Sequence, residues 1–217
     1  MRIALLNPNT SAETTTVMVG IAKEAAGSGI TIDGVTARYG APLITDPTAL
    51  DIAAEAVAAL APALSGFDAV ILSGFGDPGI EALRAALDVP VTGIVEAGMA
   101  EAAAFGDRFA VVTTTPELAG RIAQSARVYG HKKFCGTWTT PGDPVTLTAR
   151  PADLENALAV ALQTALDDAN AHAVIIGGGP LAVAARALAK VSPVPLVEPI
   201  PAAVRLTMAR LGLENVA

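Results

Sequence analysis

The stretch "VILSGFGDPG", residues 70–79, joins an unbroken apolar run to a loop that contains three glycines. An apolar run that ends at glycine is typical of a strand buried on both faces of a parallel sheet. The loop after such a strand usually carries the reactive groups of an α/β protein. This loop has no Cys, His or Lys, however, and its only acid is Asp77.

A second copy of this unit lies later in the chain. The segment "DAVILSGFGDPGIEALRAALDVPVTGI" is similar to "HAVIIGGGPLAVAARALAKVSPVPLVE", with an offset of 104 residues from Gly74 to Gly178. "RIALLNPNTSAETT" is likewise similar to "RFAVVTTTPELAGR", with an offset of 106 residues from Arg2 to Arg108. Because both pairs occur in the same order, the sequence predicts a duplicated strand–loop–helix unit.

Apolar runs alternate with Ala-rich helical stretches along the whole chain, which predicts an α/β fold. We expect two pseudo-symmetric, Rossmann-like halves built on parallel sheets, one from residues 1–100 plus 198–217 and the other from 101–197. The carboxyl ends of the strands would then line a cleft between the halves, where ligands usually bind. Strands are predicted at 2–6, 30–36, 68–73, 91–94, 108–113, 173–177 and 194–197, and helices at 11–26, 48–64, 78–87, 96–104, 116–129, 151–170, 180–190 and 200–211.

Composition excludes several classes of function. Apolar residues make up 52% of the 217 residues and charged residues 16%, which fits a folded globular protein. The net charge is −7 and the 14 basic residues are spread thinly, so nucleic acid is not expected as a partner, and no apolar run is long enough for a membrane helix. The single cysteine, Cys135, cannot form an internal disulfide or a CxxC metal site, which favours a reducing cytoplasm.

Polar residues follow the first strand of each half. Asn7, Asn9 and Thr10 end the first strand, and Thr113, Thr114 and Thr115 occupy the equivalent loop. These side chains either cap the following helix or bind a carboxylate or imide oxygen at its N-terminus. Gly74 and Gly178 either allow the chain to turn or bring backbone N–H groups to a bound oxyanion.

The motifs "NPNTS", "FGDPG", "GIVEA" and "VIIGGG" together resemble the aspartate/glutamate/hydantoin racemase superfamily, with the hydantoin and allantoin racemases as the nearest branch. The resemblance covers essentially the whole chain. It implies a cofactor-independent enzyme in which each half supplies one cysteine. One thiolate removes a proton next to a carbonyl, and the opposite thiol returns a proton to the other face. This chain has Gly74 and Gly178 at the two cysteine positions, and Cys135 lies at neither.

Proton transfer would therefore need other groups. The candidates are Glu96 and Glu198, each after a predicted strand, and more weakly Ser73. For the glutamates, a structural role at the start of a helix is the alternative.

The other side chains with reactive groups are expected to have structural roles, except for Tyr39, whose role the sequence does not decide. Asp77 is expected to cap the helix that starts near Pro78, His131 to lie on the surface, and Cys135 to be a half-buried structural thiol. His172 opens a strand away from the expected cleft, and the role of Tyr39 is left open.

These observations predict an isomerase that acts next to a carbonyl of a hydantoin-like or amino-acid-derived carboxylate. The alternatives are a lyase like the arylmalonate decarboxylases, which in the same superfamily keep only the second cysteine, a hydrolase, and a non-catalytic binder of a small carboxylate or cyclic imide. No metal is expected. ATP is not expected, because "GGGP" at 177–180 lacks the lysine of a phosphate loop, and NAD is not expected, because "GFGDPG" is not followed by the acid of a dinucleotide fingerprint. Relatives self-associate, so a homo-oligomer is expected. Phe75, Gly76 and Gly179 complete the predicted ligand contacts.

Overall fold

A computed structural model of the chain describes residues 1–106 and 108–213. The strands are β1 (Arg2–Asn7), β2 (Thr31–Thr36), β3 (Ala69–Leu72), β4 (Val91–Gly93), β5 (Phe109–Thr113), β6 (Phe134–Thr139), β7 (Ala173–Ile176) and β8 (Leu196–Val197). The α-helices are α1 (Ala12–Ala26), α2 (Pro47–Ala58), α3 (Ile80–Ala86), α4 (Ile94–Ala104), α5 (Ala119–Val128), α6 (Pro144–Thr148), α7 (Pro151–Ala169), α8 (Ala182–Ala189) and α9 (Pro199–Arg210). Short 3₁₀ helices cover Ala61–Leu64, Pro116–Leu118 and Gly179–Leu181.

The strands form two four-stranded sheets in which every pairing is parallel, and this confirms the predicted α/β fold. The strand order is β2-β1-β3-β4 in the first sheet and β6-β5-β7-β8 in the second. Each sheet therefore has the same topology, with two central strands taken from the repeated segments. Internal contacts divide the chain into two compact units, one of Met1–Ile44, Thr48–Ala97 and the residues from Ile200 on, the other of Thr45–Pro47 and Gly98–Pro199.

The central strands are buried, apart from Arg2 at the start of β1, as their apolar sequences require. In the first unit Leu6 of β1 pairs with Leu72 of β3, and both lie in a cluster with Val57 of α2 and Leu83 of α3. In the second unit the corresponding strands, β5 and β7, pack with α7 and α8 around Leu158. This burial fixes the carboxyl ends of the central strands and thereby positions the loops that follow them.

One strand, β6, and the short helix α6 are not among the elements predicted from the sequence. The β6 segment FCGTWT has no apolar run, because Gly136, Thr137 and Thr139 interrupt it, and every residue in it is only half-buried. It is an edge strand with a register irregularity opposite Phe109 and Ala110, and such strands lack the pattern of a buried strand. The repeat itself carried the missed signal, since β6 is the counterpart of β2.

The predicted helix at 48–64 is also shorter than expected. It ends at Ala58, and Pro62 then lies in the first turn of a separate 3₁₀ helix. Proline has no N–H to continue an α-helix and suits the first turn of a new one.

The C-terminal helix α9 is attached to the first sheet by Arg210. One guanidinium nitrogen lies 2.6 Å from Oε1 of Glu96, and the other donates to the carbonyl of Val91 at 3.0 Å and to the hydroxyl of Thr92 at 2.9 Å. Arg84 of α3 adds a second ion pair to Glu96 at 2.8 Å. Residues more than a hundred positions apart are thus joined by charge-assisted hydrogen bonds at the end of β4.

We expect Arg210→Met to destabilise the protein by about 1–3 kcal/mol, because it leaves a half-buried carboxylate with one cation fewer and removes two hydrogen bonds. Urea unfolding followed by circular dichroism measures this free energy. Arg127→Met on the exposed surface of α5 is the matched control and should change it by less than about 0.5 kcal/mol. Equal effects of the two substitutions would contradict the role assigned to Arg210.

Candidate functional site

The loop after β1 is organised by Asn7, whose side chain is fully buried. Its Nδ2 donates to Oδ1 of Asn9 at 2.8 Å and to Oγ1 of Thr15 at 3.0 Å, and its Oδ1 accepts the backbone N–H of Asn9 at 3.1 Å. Ser11 caps α1 by accepting the N–H of Thr14. The polar atoms of Asn7 are therefore used within the loop, so this residue holds the conformation of its neighbours.

Asn9 and Thr10 keep hydrogen-bonding capacity. Oδ1 of Asn9 accepts the N–H of Ser11 at 2.9 Å, while its amide nitrogen donates to no acceptor in the described part of the chain. The backbone of Thr10 donates to the carbonyl of Ala41 at 3.1 Å, and its hydroxyl has no partner among residues 1–106 and 108–213. These two side chains are the groups of this loop with donors to offer a ligand.

Gly74, which the family resemblance predicts to stand at the first cysteine position, is tightly enclosed. A Cβ atom there would overlap the ring of Pro8 and lie 3.1 Å from Cδ of Pro78. The neighbouring Ser73 is buried and its hydroxyl donates to the carbonyl of Leu6 at 2.9 Å. The space in which a side chain at position 74 would begin is thus filled by proline, and any such side chain requires the loop to shift.

Gly178 stands at the expected second cysteine position. The space around its Cα is open, but its backbone conformation is one that favours glycine. Its φ of +127° is one that side-chain-bearing residues rarely adopt, whereas the nearest atoms to a Cβ there are 3.4 Å away, on Leu181. The same region of φ occurs at Gly76 (+135°), where a Cβ would approach Leu50 to 3.1 Å. Both loops therefore follow paths that favour glycine.

These loops leave backbone donors unpaired. Among the described residues, the N–H groups of Gly74 and Phe75 in the first unit, and of Gly178 and Gly179 in the second, have no hydrogen-bond acceptor in the protein. Gly74 and Gly179 are buried. Because buried backbone N–H groups are nearly always paired, such donors indicate a place for an oxyanion or an ordered water.

Asp77 caps a different helix from the one predicted. Its carboxylate accepts the N–H of Val95 at 3.0 Å and that of Glu96 at 2.9 Å, so it caps α4 and not the helix after Pro78. A Cβ at Gly93 would overlap this carboxylate, and Asp77 itself has a φ of +46°. The turn at Asp77 directs its carboxylate to the end of β4, where α4 begins. The sequence around Asp77 does not reveal this partner.

The loop after β5 presents hydroxyls. Thr113 is buried, donates to the carbonyl of Gly177 at 2.9 Å and lies 3.2 Å from Oγ1 of Thr115. Thr114 is 4% exposed, and its hydroxyl has no partner within the described ranges. A further threonine, Thr140, lies beside this loop and was missed because β6 was not predicted. Its backbone N–H donates to the carbonyl of Thr113 at 3.0 Å.

Both candidate glutamates are in ion pairs. Glu96 lies between Arg84 and Arg210; burial would raise its pKa, but hydrogen bonding and charge from Arg210, with the charge of Arg84, outweigh burial and lower the pKa below its ordinary value. Glu198 pairs with Nε of Arg186 at 3.0 Å. In both units an arginine after the central strand thus neutralises a carboxylate after the next strand. This arrangement favours the structural alternative for Glu96, which is paired with two arginines.

The remaining candidates lie elsewhere. The ring of His131 is half-buried against Phe109, with centroids 5.3 Å apart, so it is not a surface residue as predicted, and burial lowers the pKa of His131. Cys135 is half-buried on β6, with its thiol 3.6 Å from the carbonyl of Lys133, while Tyr39 and His172 are exposed. His172 precedes β7, at the amino end of that strand.

No group of three His, Cys, Asp or Glu side chains in the described part of the chain could hold a metal ion, and none of its helices is long and apolar enough to cross a membrane.

A cavity of about 660 Å³ is present in the first unit, lined by residues that include Met1, Ile30 and Met208. It adjoins the amino ends of β1 and β2, opposite the loops described above, and is therefore not part of this site.

We expect Gly74→Ala to destabilise the protein by about 1–3 kcal/mol, since the added methyl group overlaps Pro8. Gly20→Ala is the control, because a Cβ there has no neighbour within 4 Å and alanine is the better helix former. It should stabilise the protein slightly. Urea unfolding of both variants tests this, and two changes of the same sign would argue against steric enclosure of Gly74.

The ion pairs of Glu96 predict a pH dependence. Since the folded pKa of Glu96 lies below its ordinary value of 4.5, the stabilisation is complete above pH 4.5 and is lost as the pH falls through the folded pKa. At pH 7 we expect Glu96→Gln to be less stable than the parent protein, and this difference to shrink on acidification below 4.5. Urea unfolding at a series of pH values measures it. A difference independent of pH would contradict the pairing.

Similarity to known proteins extends over almost the entire chain. The family model for Asp/Glu/Hydantoin racemase matches residues 3–207. The chain is 30% identical over 217 residues to the hydantoin racemase of Pseudomonas sp. (strain NS671), which covers 98% of this chain and 87% of that protein. The crystal structure of allantoin racemase from Pseudomonas fluorescens has a TM-score of 0.92 at 29% identity, covering 98% of this chain and 92% of the other.

The fold is shared more widely. A crystal structure of arylmalonate decarboxylase has a TM-score of 0.66 over 100% of this chain and 94% of its own, and at 18% identity it shows the fold alone. Because the racemase model spans residues 3–207 and a hydantoin racemase is 30% identical over 98% of the sequence, this chain belongs to the Asp/Glu/hydantoin racemase family.

Proposed function

We propose that this protein is an isomerase that acts, without thiols, at the carbon next to a carbonyl of a hydantoin-like compound or an amino-acid-derived carboxylate. The observation that carries the proposal is the racemase-family match along nearly the whole chain, with a hydantoin racemase among the relatives. Cofactor independence, a cytoplasmic location and self-association stay predictions from the sequence.

The unpaired donors at the strand ends support the class of ligand. Removal of a proton next to a carbonyl places negative charge on the carbonyl oxygen, and fixed N–H and O–H donors stabilise that charge. The N–H groups of Gly74 and Gly178, with the side chains of Asn9, Thr10 and Thr114, are donors of this kind. A carboxylate or cyclic imide carries the acceptor oxygens that these groups need.

We assign removal of the α-proton to Glu198, acting through a water molecule, and solvent water returns a proton to the opposite face of the planar intermediate. Only Oε2 of Glu198 is engaged, by one arginine, whereas Glu96 is paired with two arginines and also accepts the N–H of Gly93. The hydroxyl of Ser73 donates to the carbonyl of Leu6, and a serine hydroxyl is a weak base. Glu198 is therefore the least occupied carboxylate among the candidates.

The test is proton NMR in D₂O with 5-substituted hydantoins, amino acids and malonates. We expect protein-dependent loss of the α-proton signal from intact substrate, and a loss of rate of about 100-fold or more in Glu198→Gln, the typical contribution of a general base. Glu96→Gln is the matched control and should retain the rate where the protein remains folded. New product signals or release of CO₂ would instead identify a lyase or hydrolase, and no exchange with any substrate would refute the isomerase.

A non-catalytic binder is the second candidate, favoured by one specific observation. A Cβ at Gly74, the expected first cysteine position, would overlap Pro8, and both strand-end glutamates pair with arginine. Ligand-dependent thermal stabilisation without exchange or new products would support this candidate, since a ligand stabilises the state that binds it.

A further inference from the structure

Thr140 is buried with an unsatisfied hydroxyl. It follows β6 directly, is 4% exposed, and its Oγ1 has no hydrogen-bond partner within the described residues. A buried hydroxyl without a partner destabilises a protein by about 1–3 kcal/mol. The stability of the fold therefore does not explain why a threonine occupies this position.

The first unit shows that the turn does not require a hydroxyl. Its counterpart of Thr140 is Ala37, which follows β2 as Thr140 follows β6. The backbone N–H of Ala37 donates to the carbonyl of Asn7 at 2.9 Å, and that of Thr140 donates to the carbonyl of Thr113 at 3.0 Å. Both residues are buried. The same backbone geometry is thus made by alanine, and the hydroxyl of Thr140 has no structural counterpart.

The surroundings of Thr140 contain further unpaired donors. Thr113 pairs in register with Thr139, so the next residues, Thr114 and Thr140, follow adjacent strand ends. The hydroxyl of Thr114 is also without a partner in the part of the chain that the structure describes. Strand β7 lies on the other side of β5, and its loop contributes the unpaired N–H groups of Gly178 and Gly179.

We propose that Thr140 is a further ligand-binding residue of the second unit, and that its hydroxyl donates to a carboxylate or imide oxygen of the bound small molecule. The proposal rests on the ligand class of the proposed function but not on turnover. A ligand oxygen at this edge satisfies a hydroxyl that folding leaves unpaired, so binding recovers the energy lost on burial.

The test compares Thr140→Val with Thr137→Val. Thr137 also has a buried hydroxyl without a partner among the described residues, but it lies within β6 opposite Val111, away from the strand end. Valine keeps the shape of threonine and replaces the hydroxyl with a methyl group, which cannot donate a hydrogen bond. Because each variant removes an unpaired polar group, we expect neither to lower the thermal midpoint of the ligand-free protein.

Ligand affinity separates the two variants. With 5-methylhydantoin, glutamate and malonate as probes, we expect calorimetry to show a loss of about tenfold in Thr140→Val, which is the loss of one hydrogen bond, and no change in Thr137→Val. Thr140→Ser should recover most of the affinity. Equal affinity of Thr140→Val and the parent protein would overturn the proposal, as would an equal loss in both valine variants.

The outcome is independent of catalysis. Binding that Thr140→Val weakens, in a protein that shows no proton exchange, would uphold this inference and refute the isomerase. A parent protein that binds none of the three probes would overturn both.

Discussion

The carboxylate of Asp77 is the interaction on which the carboxyl edge of the first sheet depends. It joins the loop after β3 to the start of α4, where it accepts two backbone N–H groups. This requires a left-handed residue at position 77 and a glycine at 93, since any Cβ at Gly93 would occupy the same space. A buried carboxylate with no hydrogen bonds would be strongly unfavourable, so the loop and the helix must form together. The backbone N–H of Asp77 also donates to the carbonyl of Gly74 at 2.9 Å, so the same residue ties Gly74 to this turn.

Much of the fold could be predicted from the sequence, because its central strands carry their own signal. β1, β3, β5 and β7 are continuous apolar runs, and the repeat places them in equivalent positions. The edge strand β6 could not be found in the same way, since its half-buried residues show neither an apolar run nor an alternation. Its only sequence signal is its place in the repeat, since β6 is the counterpart of β2 in the second sheet.

The candidate site was less predictable, because its chemistry depends on long-range partners. The loops were located correctly by their position after buried strands. The partners of Glu96 are Arg84 and Arg210, and neither can be assigned from spacing alone. Asp77 was assigned to the nearest helix, whereas its side chain reaches one that begins at Ile94. Thr140 was missed for a simpler reason: its strand was not recognised.

The enclosure of Gly74 also has an evolutionary consequence. A cysteine cannot be introduced there as an isolated change, because Pro8 and Pro78 already occupy the space around its Cβ. At Gly178 the obstacle is the backbone, whose φ would have to change before a side chain is accommodated without strain. The two-thiol arrangement is thus separated from this sequence by several coordinated substitutions. Directed evolution towards it would have to vary positions 8, 74 and 78 in one library, since a Cβ at position 74 overlaps Pro8 and approaches Pro78.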